Sequence, residues 1–263
     1  MSVIYEPRGM AREYAPLALN LYSGCSHGCT YCYAPKCLQR PPEVFHAQGH
    51  PRKDILKQVA KEAPAYSGTT DRILLSFTCD PYQPAEAEHQ VTRQALRILT
   101  DAGASWQVLT KGGTLACRDF DLFEAGGGVF ATSLVFTNDA DRAEWEPNAA
   151  SVEDRLGAIA QAHARGIPTW VSIEPVIDPE QALEIIRQHS GIVDAWKVGK
   201  LNHHAHAATV DWHDFTQRLY IALQSSHRPF LIKDSLHPYL PPGAVTNTIC
   251  ESALARSTTQ TLF

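Results

Sequence analysis

The sequence predicts an α/β protein, built as a curved and incomplete (β/α) barrel around a parallel sheet. Two observations predict this fold. Short apolar segments with β propensity alternate with longer segments of helical periodicity, as in parallel β-α-β units. The 263 residues, 44% of them hydrophobic, are also enough for one sizeable core. We therefore expect a single domain over residues 1–263, with an N-terminal extension at 1–17 and a polar C-terminal tail at 251–263.

Seven segments are predicted to be buried strands and six to be helices. The strands are expected at 18–21, 72–77, 106–110, 129–135, 169–173, 195–198 and 230–232. The helices are expected at 52–62, 88–101, 117–125, 151–165, 179–189 and 212–225. Ser151, three residues before Asp154, is typical of a helix N-cap, and Asp178-Pro179 places proline at a first helical position. Six strand-helix units and a seventh strand make a partial (β/α)6-type barrel.

Composition and charge limit the classes of function. The formal net charge of -5 gives no overall basic surface of the kind that attracts nucleic acid. No stretch approaches the roughly 20 apolar residues that cross a bilayer, and the N-terminus lacks the apolar core of a secretion signal. Of seven cysteines, three lie within eight residues. We expect a soluble protein of the reducing cytoplasm, where clustered cysteines bind metal more often than they pair.

Cys25, Cys29 and Cys32 form a C-x3-C-x2-C motif. Three thiolates on a short loop each ligate one iron of a 4Fe-4S cubane and leave the fourth iron open to another ligand. One alternative is a zinc site. In that case the chain would be a non-catalytic metal-binding module, and the cysteine loop would only stabilise its structure. Zinc sites usually pair two C-x2-C units, however, and the sequence has no second pair.

Polar residues follow the predicted strands, where the active sites of barrels are built. They are Asp80, Lys111, Ser133, Glu174, Lys200, Asn202 and Lys233. We expect them to line one site.

The cysteine motif, written C-x3-C-x-Tyr-C-Tyr, resembles that of the radical S-adenosylmethionine (SAM) superfamily. Residues 19–34 and 78–84, together with Thr110-Lys111 and Arg118-Asp119, are similar to the branch that contains spore photoproduct lyase. This branch includes uncharacterised relatives associated with phages and mobile elements. The resemblance spans at least the first two-thirds of the chain and implies a radical SAM barrel.

The resemblance implies one 4Fe-4S cluster on Cys25, Cys29 and Cys32, and SAM bound at its open iron. A flavodoxin or ferredoxin-type donor would supply one electron, and SAM would be cleaved to methionine and a 5′-deoxyadenosyl radical that abstracts hydrogen from substrate.

The resemblance also suggests which residues contact SAM. Asp80 would accept hydrogen bonds from the SAM ammonium, Lys111 would neutralise its carboxylate, and Ser133 would contact the ribose. Tyr31 and Tyr33 would pack around the cluster and the adenine or ribose. The alternatives are a solvated lysine at 111 and half-buried loop aromatics at 31 and 33.

Cys79 is a candidate hydrogen donor. Spore photoproduct lyase uses a cysteine near the end of its second strand, and alignment on Asp80 places that position at Phe77. Cys79 lies two residues further on, which in a strand is the same face. We therefore predict that Cys79 reaches the cavity, with a buried, inert thiol as the alternative.

The second half of the chain adds Glu174 and Lys200 as candidate catalytic residues, because both follow apolar strand segments. Ser-Ile-Glu-Pro at 172–175 resembles a segment of the phage-associated relatives. Glu174 would orient SAM or accept a proton. The alternative is a buried ion pair between Glu174 and Lys197 or Lys200.

Other candidate ligands are weaker. His203, His204 and His206 form either a second metal site or, as we prefer, a solvated loop. Cys37, Cys117 and Cys250 are isolated, so no auxiliary cluster is expected.

The branch resemblance favours a nucleobase in DNA or RNA as the substrate, for repair or modification. A local basic stretch would meet phosphates or else form a solvated face; it comprises Lys36, Arg40, Arg52, Lys53 and Lys57. A peptide or small-molecule substrate is the alternative.

Overall fold

A computed structural model describes residues 2–250 and shows an α/β fold with one large sheet. The strands are β1 (Ile4–Tyr5), β2 (Leu17–Leu19), β3 (Tyr22–Ser23), β4 (His50–Pro51), β5 (Ile73–Leu75), β6 (Trp106–Thr110), β7 (Val129–Ser133), β8 (Thr169–Val176), β9 (Ala195–Lys200) and β10 (Phe230–Ile232). The sheet order is β1-β2-β5-β6-β7-β8-β9-β10, and β3 pairs separately with β4. Strands β2 and β5 to β10 are parallel to their neighbours, and β1 is antiparallel to β2.

Ten α-helices lie within residues 2–250, and the longer ones cover the outer face of this sheet. They are α1 (Ala34–Cys37), α2 (Pro42–Ala47), α3 (Ile55–Glu62), α4 (Ala85–His89), α5 (Val91–Asp101), α6 (Phe120–Gly126), α7 (Asp139–Trp145), α8 (Val152–Ala164), α9 (Pro179–His189) and α10 (Trp212–Ser225). Short 3-10 helices lie at Gly9–Glu13, Ala63–Tyr66, Gly113–Asp119, Ala205–Ala208 and Asp234–Tyr239. Within residues 2–250, no helix has the length and apolar character needed to span a membrane.

The predicted partial barrel with a curved parallel sheet is confirmed. Seven parallel strands correspond to the seven predicted ones, and the caps also form. Ser151 accepts from the backbone N–H of Asp154, and Asp178 accepts from two N–H groups of α9. The second predicted strand ends early, at Leu75, because Phe77 has a φ of 95°, which an extended strand does not adopt. The predicted tail at 251–263 lies outside the described residues.

Strand side chains alternate between two packed layers. Phe130, Val171 and Trp196 belong to the large core between the sheet and the helices. Their neighbours form a second, smaller core with Tyr14, on the opposite face of the sheet and therefore inside the barrel; it contains Leu74, Val129, Ala131, Trp170 and Ala195.

The N-terminal segment is part of the barrel rather than a simple extension. After β1 at one edge of the sheet, the chain crosses to the opposite edge before it returns as β2. At that opposite edge, the carboxylate of Glu13 accepts a hydrogen bond of 2.8 Å from the backbone N–H of Asp234, just beyond β10. The Tyr14 ring lies 5.8 Å from the Trp170 ring. This segment therefore bridges the open side of the partial barrel.

Candidate active site

The cysteine loop runs from β3 to α1 and is held on one side by α2. The backbone N–H of Cys25 donates to the carbonyl of Phe45 at 3.2 Å, and His46 Nδ1 lies 2.9 Å from the carbonyl oxygen of Cys25. Gly24 has a φ of 84°, and a Cβ there would lie 2.5 Å from the carbonyl oxygen of Gln48. Glycine is therefore required where the loop meets α2.

The segment that follows α7 holds the other side of the loop. The N–H of Thr30 donates to the carbonyl of Trp145 at 2.9 Å, and the N–H of Asn148 donates to that of His27 at 3.1 Å. The Asn148 side chain also donates to the carbonyl of Ser26 at 3.1 Å.

Gln83 supports the same loop through both ends of its buried amide. Its oxygen accepts from the N–H of Ser26 and its nitrogen donates to the carbonyl of Gly24, each at 3.1 Å. The loop is thus fixed mainly through its backbone, which leaves the cysteine side chains available as ligands.

The three thiols suit an iron-sulfur cluster. Burial raises the pKa of Cys29 to about 12 and also raises the pKa of Cys25 and Cys32, so iron binding displaces their protons. No three His, Cys, Asp or Glu side chains among residues 2–250 are grouped as ligands of a single metal ion. A cubane differs from such a site because it takes each thiolate on a separate iron.

Asp80 ties the loop to the strand ends. Its carboxylate accepts hydrogen bonds from Thr110 Oγ1 at 2.5 Å, from the N–H of Lys111 at 2.6 Å and from the N–H of Tyr82 at 2.8 Å. His27 Nε2 lies 3.2 Å away. Burial alone raises the pKa of Asp80, but His27 and these donors outweigh it and lower the pKa to about 2. Its contact with the SAM ammonium stays a prediction.

Lys111 and Tyr31 belong to a buried charged cluster beside Cys29. The Tyr31 hydroxyl donates to Glu146, whose carboxylate lies 2.6 Å from an Arg155 nitrogen and 4.0 Å from Lys111 Nζ. Burial lowers the pKa of Lys111, but the charges of Cys29 and Glu146 outweigh this and raise it. The Lys111 side chain is 17% exposed, so it is a partly buried cation held beside two anionic groups rather than a freely solvated one. Sequence reasoning missed Glu146 and Arg155 because neither follows a strand.

Ser133 and Tyr33 lie at the mouth of the barrel. Ser133 is buried at the end of β7, on the same face as Val129 and Ala131. Tyr33 is 50% exposed, and its hydroxyl donates to the carbonyl of Phe77 at 2.9 Å. Their contacts with SAM remain predictions.

Glu174 points into the barrel and is paired with Lys233. Lys233 Nζ donates to both carboxylate oxygens at 3.0 Å, and the Tyr14 hydroxyl donates to one of them. The ion pair given as the alternative for Glu174 forms, but with Lys233 rather than with Lys197 or Lys200. Because β10 follows β9 at the sheet edge, it brings Lys233 to Glu174, while Lys197 Nζ donates to the carbonyl of Tyr14 at 2.9 Å.

Lys200 lies apart from Glu174, and its catalytic role stays a prediction. Side chains alternate along β9, so Lys200 lies on the face opposite Lys197 and Gly199. Its Nζ donates to the Tyr239 hydroxyl at 2.7 Å and lies 4.9 Å from the Trp212 ring of α10. Lys200 is therefore directed toward the helices and not into the barrel.

The strand geometry predicted for Cys79 is wrong. The positive φ of Phe77 ends the extended chain, and the alternation between faces does not continue to residue 79. The Cys79 thiol is buried in the outer core, 3.8 Å from Asn20 Oδ1, and burial raises its pKa to about 12. This placement favours a buried thiol, and a role in hydrogen transfer stays a prediction.

The histidine segment at 203–206 packs against Trp145, at the end of α7. The His204 and His206 rings lie 5.2 and 5.4 Å from the Trp145 ring, and His206 Nε2 lies 3.1 Å from the carbonyl oxygen of Ile177.

The family model of the Radical SAM superfamily matches residues 19–189. This chain belongs to the radical SAM superfamily. It is a radical SAM enzyme whose cofactors are a 4Fe-4S cluster and SAM, and it needs a reductant. Family membership overturns the alternatives of a zinc site and of a non-catalytic metal-binding module.

This radical SAM enzyme resembles a protein of similar sequence and two solved structures of similar fold. An uncharacterized protein of Mycobacterium tuberculosis is 27% identical over 238 residues, which cover 86% of this chain and 69% of that protein. Spore photoproduct lyase complexed with dinucleoside spore photoproduct is 17% identical, with a TM-score of 0.60 over 81% of this chain and 63% of that one. Streptococcus suis SuiB bound to precursor peptide SuiA is 13% identical, with a TM-score of 0.59 over 88% of this chain and 52% of that one.

Proposed function

We propose that this radical SAM enzyme abstracts hydrogen from a nucleobase in DNA or RNA, as part of repair or modification. The fold does not decide the substrate, because it is shared with a lyase that binds a dinucleoside and with an enzyme that binds a peptide. The chain also spans less than two-thirds of either solved chain. The proposal rests instead on one observation: aromatic rings and an ion pair meet at the mouth of the barrel.

The aromatic part is formed by Tyr33 and Phe77. Tyr33 directly follows Cys32 and is close enough to interact electrostatically with both Cys32 and Glu174. Its hydroxyl contacts the Phe77 backbone, and the Phe77 ring lies 6.3 Å from the Tyr14 ring. Exposed aromatic rings stack on unpaired bases, and Tyr33, which is half exposed, offers such a ring.

The polar part is the ion pair of Glu174 and Lys233. A carboxylate accepts from the N–H groups of a base, and an ammonium donates to its carbonyl oxygens. Burial and the charge of Glu174 raise the pKa of Tyr14 far above its usual value. Tyr14 therefore stays protonated and keeps donating to Glu174, which holds the carboxylate in place.

We assign Cys25, Cys29 and Cys32 as the cluster ligands, Lys111 as the partner of the SAM carboxylate, and Ser133 as a ribose contact. When bound, the cluster and SAM supply a 5′-deoxyadenosyl radical that abstracts hydrogen. Apolar side chains close the floor of the barrel and exclude water from this site; they include Leu74, Val129, Ala131 and Trp170. We further propose a flavodoxin or ferredoxin-type protein as the reductant.

Product analysis tests the proposal. The reconstituted enzyme, with dithionite and SAM, is incubated with single-stranded DNA, duplex DNA, RNA or a peptide digest. We expect an oligonucleotide to increase 5′-deoxyadenosine formation and to change in mass, whereas Cys25→Ala gives neither result. Glu174→Gln keeps the shape of the side chain and should cleave SAM while losing the stimulation. Stimulation by peptides alone would contradict a nucleobase substrate.

A further inference from the structure

We infer that a buried ion pair, Glu146 with Arg155, positions the side chains that receive SAM. Both are positioning residues: Glu146 acts through Lys111, and Arg155 acts through the end of β7 at Ser133. The inference deepens the proposed function, because it rests on the assignment of Lys111 to the SAM carboxylate and of Ser133 to the ribose.

The ion pair is enclosed by protein. Glu146 directly follows α7 and Arg155 lies in α8, and their side chains are 0% and 1% exposed. A carboxylate oxygen and a guanidinium nitrogen lie 2.6 Å apart. Burial alone raises the pKa of Glu146, but the charges of Arg155 and Lys111 outweigh it and lower the pKa. Buried ion pairs add little stability compared with apolar side chains of the same volume, so we look for the role of this pair in what it contacts.

Glu146 orients Lys111. One oxygen of its carboxylate accepts from the Tyr31 hydroxyl and lies 4.0 Å from Lys111 Nζ, which itself lies 5.8 Å from the centre of the Tyr31 ring. The main chain of Lys111 is held as well, since its N–H donates to the Asp80 carboxylate and its carbonyl accepts from the N–H of Ala150 at 3.0 Å. With the backbone held on both sides, the carboxylate and the ring set the direction of the ammonium group.

Arg155 holds the strand end that carries Ser133. Its Nη1 donates to the carbonyl of Ser133 at 3.0 Å, its Nε donates to the carbonyl of Ala150 at 2.9 Å, and its Nη2 faces Glu146. Because a guanidinium group is rigid and planar, it fixes these three partners relative to one another. The ion pair therefore connects the end of β7 to Lys111 and to Tyr31 of the cysteine loop.

The charges of these side chains suit one carboxylate ligand. Two cations, Lys111 and Arg155, face the anionic Glu146, so one positive charge is left for the carboxylate of SAM. If Glu146 lost its charge, the two cations would repel each other and Lys111 would move away from Arg155. Two opposite effects on SAM would follow, because the added positive charge attracts the carboxylate while the displaced Lys111 no longer meets it. A positioning role predicts that the second effect is larger.

The test uses Glu146→Gln, which keeps the shape of the side chain and an acceptor for Tyr31 but removes the charge. Calorimetry on the reconstituted holoenzyme compares two probes: S-adenosylhomocysteine carries the amino-acid group of SAM, and 5′-methylthioadenosine lacks it. We expect the affinity for S-adenosylhomocysteine to fall at least about tenfold and that for 5′-methylthioadenosine to change less than about twofold. Glu144→Gln, at an exposed position of α7, is the matched control and should leave both affinities unaltered.

A double variant separates positioning from folding. Glu146→Gln/Arg155→Met removes both charges of the ion pair, so it should recover most of the free energy of unfolding that the single variant loses. Its affinity for S-adenosylhomocysteine should stay low, because Lys111 still lacks the carboxylate that orients it. If the single variant does not fold, the double variant gives the result. A double variant that binds S-adenosylhomocysteine as the wild type does would overturn the inference.

Other outcomes are also decisive. An affinity for S-adenosylhomocysteine that is unchanged or higher in Glu146→Gln would overturn the inference, and so would an equal loss for both probes. Normal binding of S-adenosylhomocysteine by Lys111→Met would contradict the assigned contact of Lys111 and the inference with it. These measurements contain no nucleic acid, so a failure of oligonucleotides to stimulate SAM cleavage would contradict the nucleobase proposal alone.

Discussion

The cysteine loop is held mainly by backbone hydrogen bonds, whereas the pocket around Glu174 is held by charged and phenolic side chains. In the loop, peptide groups of residues 24–30 bond to two flanking segments and to Gln83. In the pocket, Tyr14 and Lys233 reach Glu174 from positions 160 and 59 residues away in sequence. A cysteine can therefore be replaced with the loop intact, but removing one charge from the pocket leaves its partner buried and unpaired.

The largest effect is expected in the loop. Cys32→Ala should abolish iron binding and SAM cleavage while the free energy of unfolding of the iron-free chain changes little, because the backbone bonds remain. Iron content and 5′-deoxyadenosine yield measure the loss. Cys37→Ala, one helical turn further on, is the matched control and should keep both. A Cys32→Ala variant that retains a full cluster would break the comparison.

In the pocket, Lys233→Met should lower the free energy of unfolding by about 3 kcal/mol, because Glu174 is left without its cation. The double variant Lys233→Met/Glu174→Gln should recover most of this loss, since the unpaired charge is then gone. Urea unfolding of both variants measures the coupling. Strictly additive effects would show that the two side chains do not act as a pair.

Asp80, which lies beside His27 of the cysteine loop, gives a pH signature. Its folded pKa of about 2 lies below the usual value of 3.8, so its ionised form stabilises the fold. The contribution, about 2 kcal/mol, is complete above about pH 5 and about half lost at pH 3. We expect the stability difference between the wild type and Asp80→Asn to shrink accordingly in urea titrations. A difference that does not vary with pH would exclude this role.

A smaller effect is expected from Gly199→Ala. A Cβ at this position would lie 2.6 Å from the Glu174 carboxyl carbon, so the side chain must move. We expect a loss of about 1.5 kcal/mol and less substrate-stimulated 5′-deoxyadenosine, with basal SAM cleavage retained. Gly191→Ala points a methyl group into open space and should change neither quantity. If the two variants had the same stability and the same stimulation by substrate, Glu174 would not need to be held in a fixed position.

The features predicted correctly from the sequence are those that depend on local patterns of residues. The cysteine spacing, the strand alternation and the caps at Ser151 and Asp178 depend on neighbouring residues. The partner of Glu174 could not be predicted, because it depends on which strand closes the sheet. Lys200 follows an apolar strand segment, as Glu174 does, but the two-residue period of β9 turns its side chain toward the helices.

Two further features left little signal in the sequence. A positive φ at Phe77 cannot be anticipated from a phenylalanine, and it moved Cys79 away from the predicted face. Tyr14 lies in a segment interpreted as an extension, where nothing local indicates that its ring enters the barrel.

Hydrogen transfer from a labelled substrate tests the central claim most directly. An oligonucleotide deuterated on its nucleobases is incubated with the holoenzyme, SAM and dithionite, and the 5′-deoxyadenosine is analysed by mass spectrometry. We predict deuterium in the 5′-deoxyadenosine formed by the wild type and none with Cys25→Ala. A nucleobase substrate would be contradicted if SAM were cleaved without deuterium transfer from the oligonucleotide, while a deuterated peptide did transfer deuterium.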